Sequence, residues 1–223
     1  MISVLFGPEK GFSSDVIVVL DVLRATSVIV TALANGALLI KPVSSIREAV
    51  KMKKEGYIIG GERSAVKLQS FDKGNSPLEY FDVAGSKIVL TTSNGTRLIK
   101  KAMKYSKNII AGAFLNLTEI VEYIRNVENI ILWCAGNKRE VSYEDTLLAG
   151  AILEKLNRIG RRDFHDSALV ALEFFGRRKE IKFRGTHARR LIGLGYEKDV
   201  AFCSQVDIYS VLPVLREDVF IKR

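Results

Sequence analysis

The sequence predicts an α/β fold in which a largely parallel sheet is flanked by helices and followed by a helical, basic C-terminal region. Three observations predict it. Short apolar runs rich in β-branched residues, such as Val16-Ile-Val-Val-Leu20, suit strands covered on both faces. Segments between them place apolar residues at helical spacing, as Ala25, Val28, Ile29, Ala32 and Leu33 do. The two kinds of segment alternate through most of the chain, the pattern of a parallel sheet with crossover helices. With 223 residues the chain can bury a substantial core. It reads as a single domain over 1–223, with 160–195, rich in Gly and Arg, as a candidate helical insertion or subdomain.

Taken in order, strands are expected near 2–6, 15–21, 37–42, 57–61, 86–92, 107–112 and 129–134. Helices are expected near 24–35, 45–55, 95–104, 117–126, 143–159, 163–175 and 186–193. Gly36 is placed to end the first helix. Ser45 with Glu48, and Ser142 with Asp145, have the spacing by which a hydroxyl caps a helix N-terminus. The Gly60-Gly61 pair ends a strand where backbones can approach closely, and Pro77 suits the first turn of a helix.

Composition narrows the function classes. No run of about 18 apolar residues exists, so no membrane span is expected, and the N-terminus turns polar too early for a signal peptide. Two cysteines, Cys134 and Cys203, are too few for a disulfide framework and point to a reducing cytoplasm. The net charge of +9 is uneven: residues 158–190 hold ten Lys/Arg against four Asp/Glu. Such a stretch either tracks an anionic partner or forms a solvated helical face, and no nucleic-acid motif accompanies it. A homo-oligomer pairing through a sheet edge or helix face is compatible with the apolar content.

Polar clusters follow the expected strands. Asp21-Val-Leu-Arg-Ala-Thr-Ser27 puts a carboxylate at a strand tip, with Arg24 and the Thr26 and Ser27 hydroxyls at a helix start. Free N–H groups and the helix dipole there favour an anion, and Arg24 can contact phosphate, sulfonate or carboxylate bidentately. The alternative is a plain cap, with Asp21 paired to Arg24. Glu62 and Arg63 follow the glycine pair. Asn75 and Ser76 either enter a site or build the turn before Pro77. Thr92, Ser93, Asn94, Gly95, Thr96 and Arg97 form a second candidate oxyanion cradle. Glu144 and Asp145 open the helix after the strand that ends at Cys134, and Asp145 is equally a capping partner or a metal ligand.

In open parallel sheets ligands bind beyond the carboxyl ends of strands, so these tips are expected to face one crevice. Hard carboxylate oxygens with few histidines suit Mg²⁺ better than Zn²⁺. Familiar hydrolase motifs are missing. Leu23 stands where an Asp-x-Asp pair needs its second acid, and Cys134 is followed by Glu140 where Cys-x5-Arg needs arginine, with Arg139 one position short. Neither a Walker loop nor a Gly-x-Ser-x-Gly elbow occurs. His165 and His187 stand alone and read as surface or packing residues.

Several ordered segments resemble the 2-phosphosulfolactate phosphatase family: Asp21 to Ser27 with Ala32-Leu-Ala-Asn-Gly36, Gly60 to Arg63, Phe71 to Pro77, Thr91 to Arg97, Cys134-Ala-Gly136 and Glu144 to Ala151, with a weaker match near Asp207 and Val211-Leu-Pro213. The resemblance implies a Mg²⁺-dependent hydrolase that removes phosphate from 2-phospho-3-sulfolactate, a step toward coenzyme M. From the strand-end clusters, Asp21, Arg24, Glu62 and Arg63 are the expected catalytic residues, and Asp21, Glu62, Glu144 and Asp145 the expected metal ligands. Other small polyanionic phosphoesters, or a non-catalytic module that binds an anionic metabolite or nucleic acid, are the alternatives. The stretch 158–190 matches no motif of the family.

Overall fold

A computed structural model describes every residue except 138, 139, 177 and 179. Arg139, and Arg177 and Lys179 of the basic stretch, therefore lie outside the described residues. Among the described residues the first seven strands fall where the apolar runs put them: β1 (Ile2–Leu5), β2 (Val16–Leu20), β3 (Leu39–Pro42), β4 (Ile58–Gly61), β5 (Lys87–Thr91), β6 (Ile109–Gly112) and β7 (Ile130–Cys134). The helices are α1 (Ala25–Ala34), α2 (Ile46–Met52), α3 (Gly95–Ala102), α4 (Leu117–Ile124), α5 (Tyr143–Arg158), α6 (Asp166–Phe175), α7 (Thr186–Gly193) and α8 (Glu197–Cys203). Two caps form as their spacing predicts, Ser45 Oγ accepting from the Glu48 N–H and Ser142 Oγ from the Asp145 N–H. Pro77 opens a 3₁₀ turn, 77–80, rather than an α-helix.

Three elements depart from the sequence expectation. Strands β8 (Pro213–Arg216) and β9 (Val219–Lys222) and the helix α8 were not expected. The hairpin β8–β9 has a two-residue Glu217-Asp218 turn, with Glu217 at φ +55, where Asn-Gly or Asp-Gly is the usual signal. With seven residues α8 is too short for a helical period to show.

The strand order is β1-β7-β2-β6-β8-β9-β3-β5-β4. One parallel unit comprises β1, β7, β2 and β6, and a second comprises β3, β5 and β4. The hairpin joins them through three successive antiparallel pairings, so the two units run in opposite senses. Their carboxyl ends nevertheless meet. Adjacent strands rotate by roughly 20–25°, so the five steps from β2 to β5 turn the second unit back by roughly 100–125°.

Alternation along β2 divides the core. Val16, Val18 and Leu20 pack with β1, α4, α5 and α6, whereas Ile17 and Val19 pack with α1, α3 and Trp133. The C-terminal helices share the first of these layers, through Ala168 and Ala171 of α6, Ala188 and Leu191 of α7, and Val200 and Cys203 of α8. That packing sets α7 and α8 beside the ends of β2 and β4. No helix among the described residues is long and apolar enough to cross a membrane.

Candidate active site

A cavity of about 120 Å³ lies where the two units meet, lined by Asp21, Leu23, Arg24, Glu62, Asn75, Thr92, Ser93, Asn94, His187 and Arg190 among others. Asp21 stands one residue beyond β2, with its carboxylate between two helix starts. Oδ1 accepts weakly from the Ala25 N–H at 3.4 Å, and a Cβ built on Gly95 would come within 2.5 Å of Oδ2. Only glycine therefore admits the carboxylate against the first turn of α3.

The Asp21 backbone is fixed by Thr26, whose Oγ1 accepts from the Asp21 N–H at 3.1 Å and whose own N–H donates to the Asp21 carbonyl at 2.9 Å. Ser27 Oγ donates to the Val22 carbonyl at 2.8 Å. Both hydroxyls are fully buried and hold the turn. The β5–α3 turn is built alike, Thr92 and Thr96 exchanging N–H to Oγ1 bonds at 3.2 Å. Beside them the Ser93 N–H donates to Glu62 Oε1 at 2.7 Å, and Glu62 Oε2 accepts from the Ala65 N–H at 2.6 Å. The anion cradles expected at these two helix starts thus hold the protein's own carboxylates, Asp21 and Glu62. Asn94 and Ser93 still line the cavity.

Burial above all, then the charges of Glu62 and Glu144, push the Asp21 carboxyl up to about 7, against the N–H groups of Ala25 and Gly95. Burial also raises Glu144, whose Oε2 is buried without a hydrogen-bond partner. Asp145 is raised well above the carboxylate range by burial, then by Asp21 and Glu144, while its Oδ1 accepts from the Val22 N–H at 2.8 Å. Its N–H is capped while its carboxylate reaches the β2–α1 turn, so capping does not consume the acid. The carboxylates supply hard oxygens of the kind Mg²⁺ takes, but only Asp21 and Glu62 line the cavity; Glu144, with its orphaned Oε2, and Asp145 lie outside its lining. Among the described residues no three His, Cys, Asp or Glu side chains are gathered closely enough to enclose a metal.

The three arginines separate. Arg24 is 2% exposed, pairs through Nη1 with Asp199, donates through Nη2 to the Ala65 carbonyl at 3.1 Å and stacks at 4.2 Å on the Tyr196 ring. Arg63 turns to the Glu62 and Ser44 carbonyls and Thr91 Oγ1, and burial lowers its pKa. Arg97 lines an adjoining cavity that shares Ser93 and Asn94 with the first. Ser76 Oγ donates to Asp199 Oδ1 at 2.7 Å, and Asn75 leaves its buried Oδ1 without a partner.

Sequence reasoning did not find Asp199, Arg190 or Ser64. Asp199 is buried at 3% exposure and ties Arg24 to Ser76. His187, expected on the surface or in packing, lines the cavity instead and bonds through Nε2 to the Leu23 carbonyl at 2.9 Å. His165 serves as a helix cap, its ring accepting from the Ser167 N–H. No local signal marked Asp199, Arg190 or Ser64 beyond the basic character of 186–193, which holds Arg190.

The family model for 2-phosphosulpholactate phosphatase matches residues 7–218. The chain belongs to the 2-phosphosulfolactate phosphatase family. A relative from Thermotoga petrophila is 48% identical over 99% of this chain and 98% of its own length. One from Pseudothermotoga lettingae is 46% identical over 100% and 99%. One from Carboxydothermus hydrogenoformans is 41% identical over 95% and 92%. Each of the three is named a probable 2-phosphosulfolactate phosphatase. A phosphatase of this family is a phosphoric monoester hydrolase, and the family match runs through α7 and α8, where the quoted motifs are silent.

Proposed function

We propose that this chain is a Mg²⁺-dependent phosphatase that hydrolyses the phosphate monoester of 2-phospho-3-sulfolactate to sulfolactate and phosphate. The substrate is a small polyanion, and the product would feed coenzyme M formation where that cofactor is made, in the cytoplasm. One observation carries the reading: carboxylates from the ends of β2 and β4 share a single small cavity with Arg24 and Arg190. A carboxylate wall alone would repel phosphate. Mg²⁺, when bound by Asp21 with Glu62, Glu144 or Asp145, supplies the charge that lets a phosphoryl group approach that wall.

The chain's own residues do the rest. Asp21, fixed by the N–H groups of two helix starts, is the carboxylate presented to phosphorus or to the attacking water. Glu62 is held in one orientation by Ser93 and Ala65. Arg24, pinned by Asp199 and Tyr196, meets phosphoryl oxygens without having to reorganise during displacement. Asn75 Oδ1 offers a buried acceptor for a water proton.

The test is phosphate release from phosphosulfolactate with and without Mg²⁺. Asp21→Asn and Glu62→Gln should each lower kcat by about 10²–10³, the scale of losing one oriented charge-stabilising group. Wild-type protein that releases no phosphate at any Mg²⁺ concentration would overturn the reading.

A further inference from the structure

A substrate with phosphate, sulfonate and carboxylate groups needs cationic partners, because the Ala25 and Ser93 N–H groups at the two helix starts already face Asp21 and Glu62. Two arginines line the cavity among the described residues, and they are not equivalent. Arg24 is buried, and Asp199 largely cancels its charge. Arg190, exposed on α7, has no carboxylate within salt-bridge distance among the described residues. Its recorded side-chain hydrogen bond runs from Nη2 to the Ser64 carbonyl at 3.0 Å, which leaves the rest of its fork available.

The helix that carries it is anchored beside the site. One turn earlier His187 donates from Nε2 to the Leu23 carbonyl, so α7 is attached both to the loop after β2 and to the loop after β4. Burial, then the charges of Arg24 and Arg190, lowers the His187 pKa, which keeps that ring a neutral donor rather than a third cation. The uncancelled positive charge at the cavity wall is therefore that of Arg190.

Resting on the phosphatase reading, we propose that Arg190 is a specificity-determining residue whose guanidinium pairs with the carboxylate or sulfonate that the substrate carries beside its phosphate. The site then selects phosphoesters with a second anionic group, and a planar fork matches either oxyanion in two-point fashion.

Steady-state kinetics of Arg190→Ala, Arg190→Lys and Arg189→Ala on phosphosulfolactate and on phenyl phosphate test this, with calorimetric binding of sulfolactate as a readout independent of turnover. Arg190→Ala should raise KM for phosphosulfolactate by about 10–100-fold, the equivalent of one charge-assisted hydrogen bond, with kcat kept. Sulfolactate affinity should fall in parallel, and KM for phenyl phosphate should hold. Arg190→Lys should recover part of the loss, because it keeps the charge without the fork. Arg189→Ala, an exposed neighbour outside the cavity, should match wild type. Equal losses on both substrates, equal losses in Arg189→Ala, or no loss in Arg190→Ala would each overturn the assignment. Wild-type protein that binds sulfolactate through Arg190 yet releases no phosphate would sink the phosphatase reading while leaving Arg190 in place.

Discussion

The cavity has two walls of different construction. Its sheet-side wall is made of turns after strands, in which backbone N–H groups hold Glu62 and more weakly meet Asp21, while threonine hydroxyls fix the turns' own backbone. Its helix-side wall is made of α7, which reaches the site with side chains, His187 to Leu23 and Arg190 to Ser64, while α8 stands behind it and ties Arg24 and Ser76 through Asp199. The first wall holds Asp21 and Glu62 on backbone, with Arg24 neutralised by Asp199, and the second presents the Arg190 charge on an attachment that a single substitution can cut. On the proposed reading, reaction chemistry would sit on the strand-to-helix turns and recognition on α7.

The sharpest way to break this division is Asp199→Ala. It strands the buried Arg24 guanidinium without a counter-charge and leaves Ser76 without its acceptor. A loss of about 3–5 kcal/mol is expected, as for a buried ion pair that loses one partner, read by chemical denaturation. A variant of wild-type stability would show that α8 does not hold Arg24.

A smaller and pH-dependent effect tests the other wall. The Asp21 carboxyl lies at about 7 in the folded chain against an ordinary 3.8. Between those values the folded protein binds more protons than the unfolded one, so this group's ionisation destabilises the fold progressively as pH rises from 4 to 7. With a chelator present to exclude cations, Asp21→Asn should therefore raise the thermal midpoint at pH 8 and leave it unchanged near pH 3.5. An equal shift at both pH values would remove charge burial as the cause.

The smallest effect belongs to the acidic start of α5. Ser142→Ala removes the Asp145 cap and should cost about 1 kcal/mol, the usual worth of an N-cap hydroxyl. Denaturant unfolding of the variant gives the value, and no loss would mean that Asp145 is positioned through Val22 alone.

The difference between the walls also governs what the sequence reveals. Asp21 and Glu62 follow apolar runs, and Thr92 to Thr96 join such a run to a helix start, so local pattern placed them at strand ends. The same pattern marked the two helix starts as anion cradles without saying which anion fills them. Which ligand a helix N-terminus takes is decided by tertiary neighbours, here carboxylates of the same chain. Asp199 and Arg190 carry no local signature. Each is one charged residue on a short helix, and its meaning comes from contacts with residues more than a hundred positions away. The hairpin escaped for a related reason: Pro213 opens one strand and Glu217-Asp218 form a turn without glycine, so neither end announces itself.

That hairpin has a bearing on how the chain is made. Strands β8 and β9, formed by residues 213–222, are the pieces that fasten the two parallel units together. A growing polypeptide therefore has both units synthesised well before their connector leaves the ribosome, with β6 and β3 each showing an unpaired edge in the interval. The cavity between the units is complete only once residues 213–222 are in place.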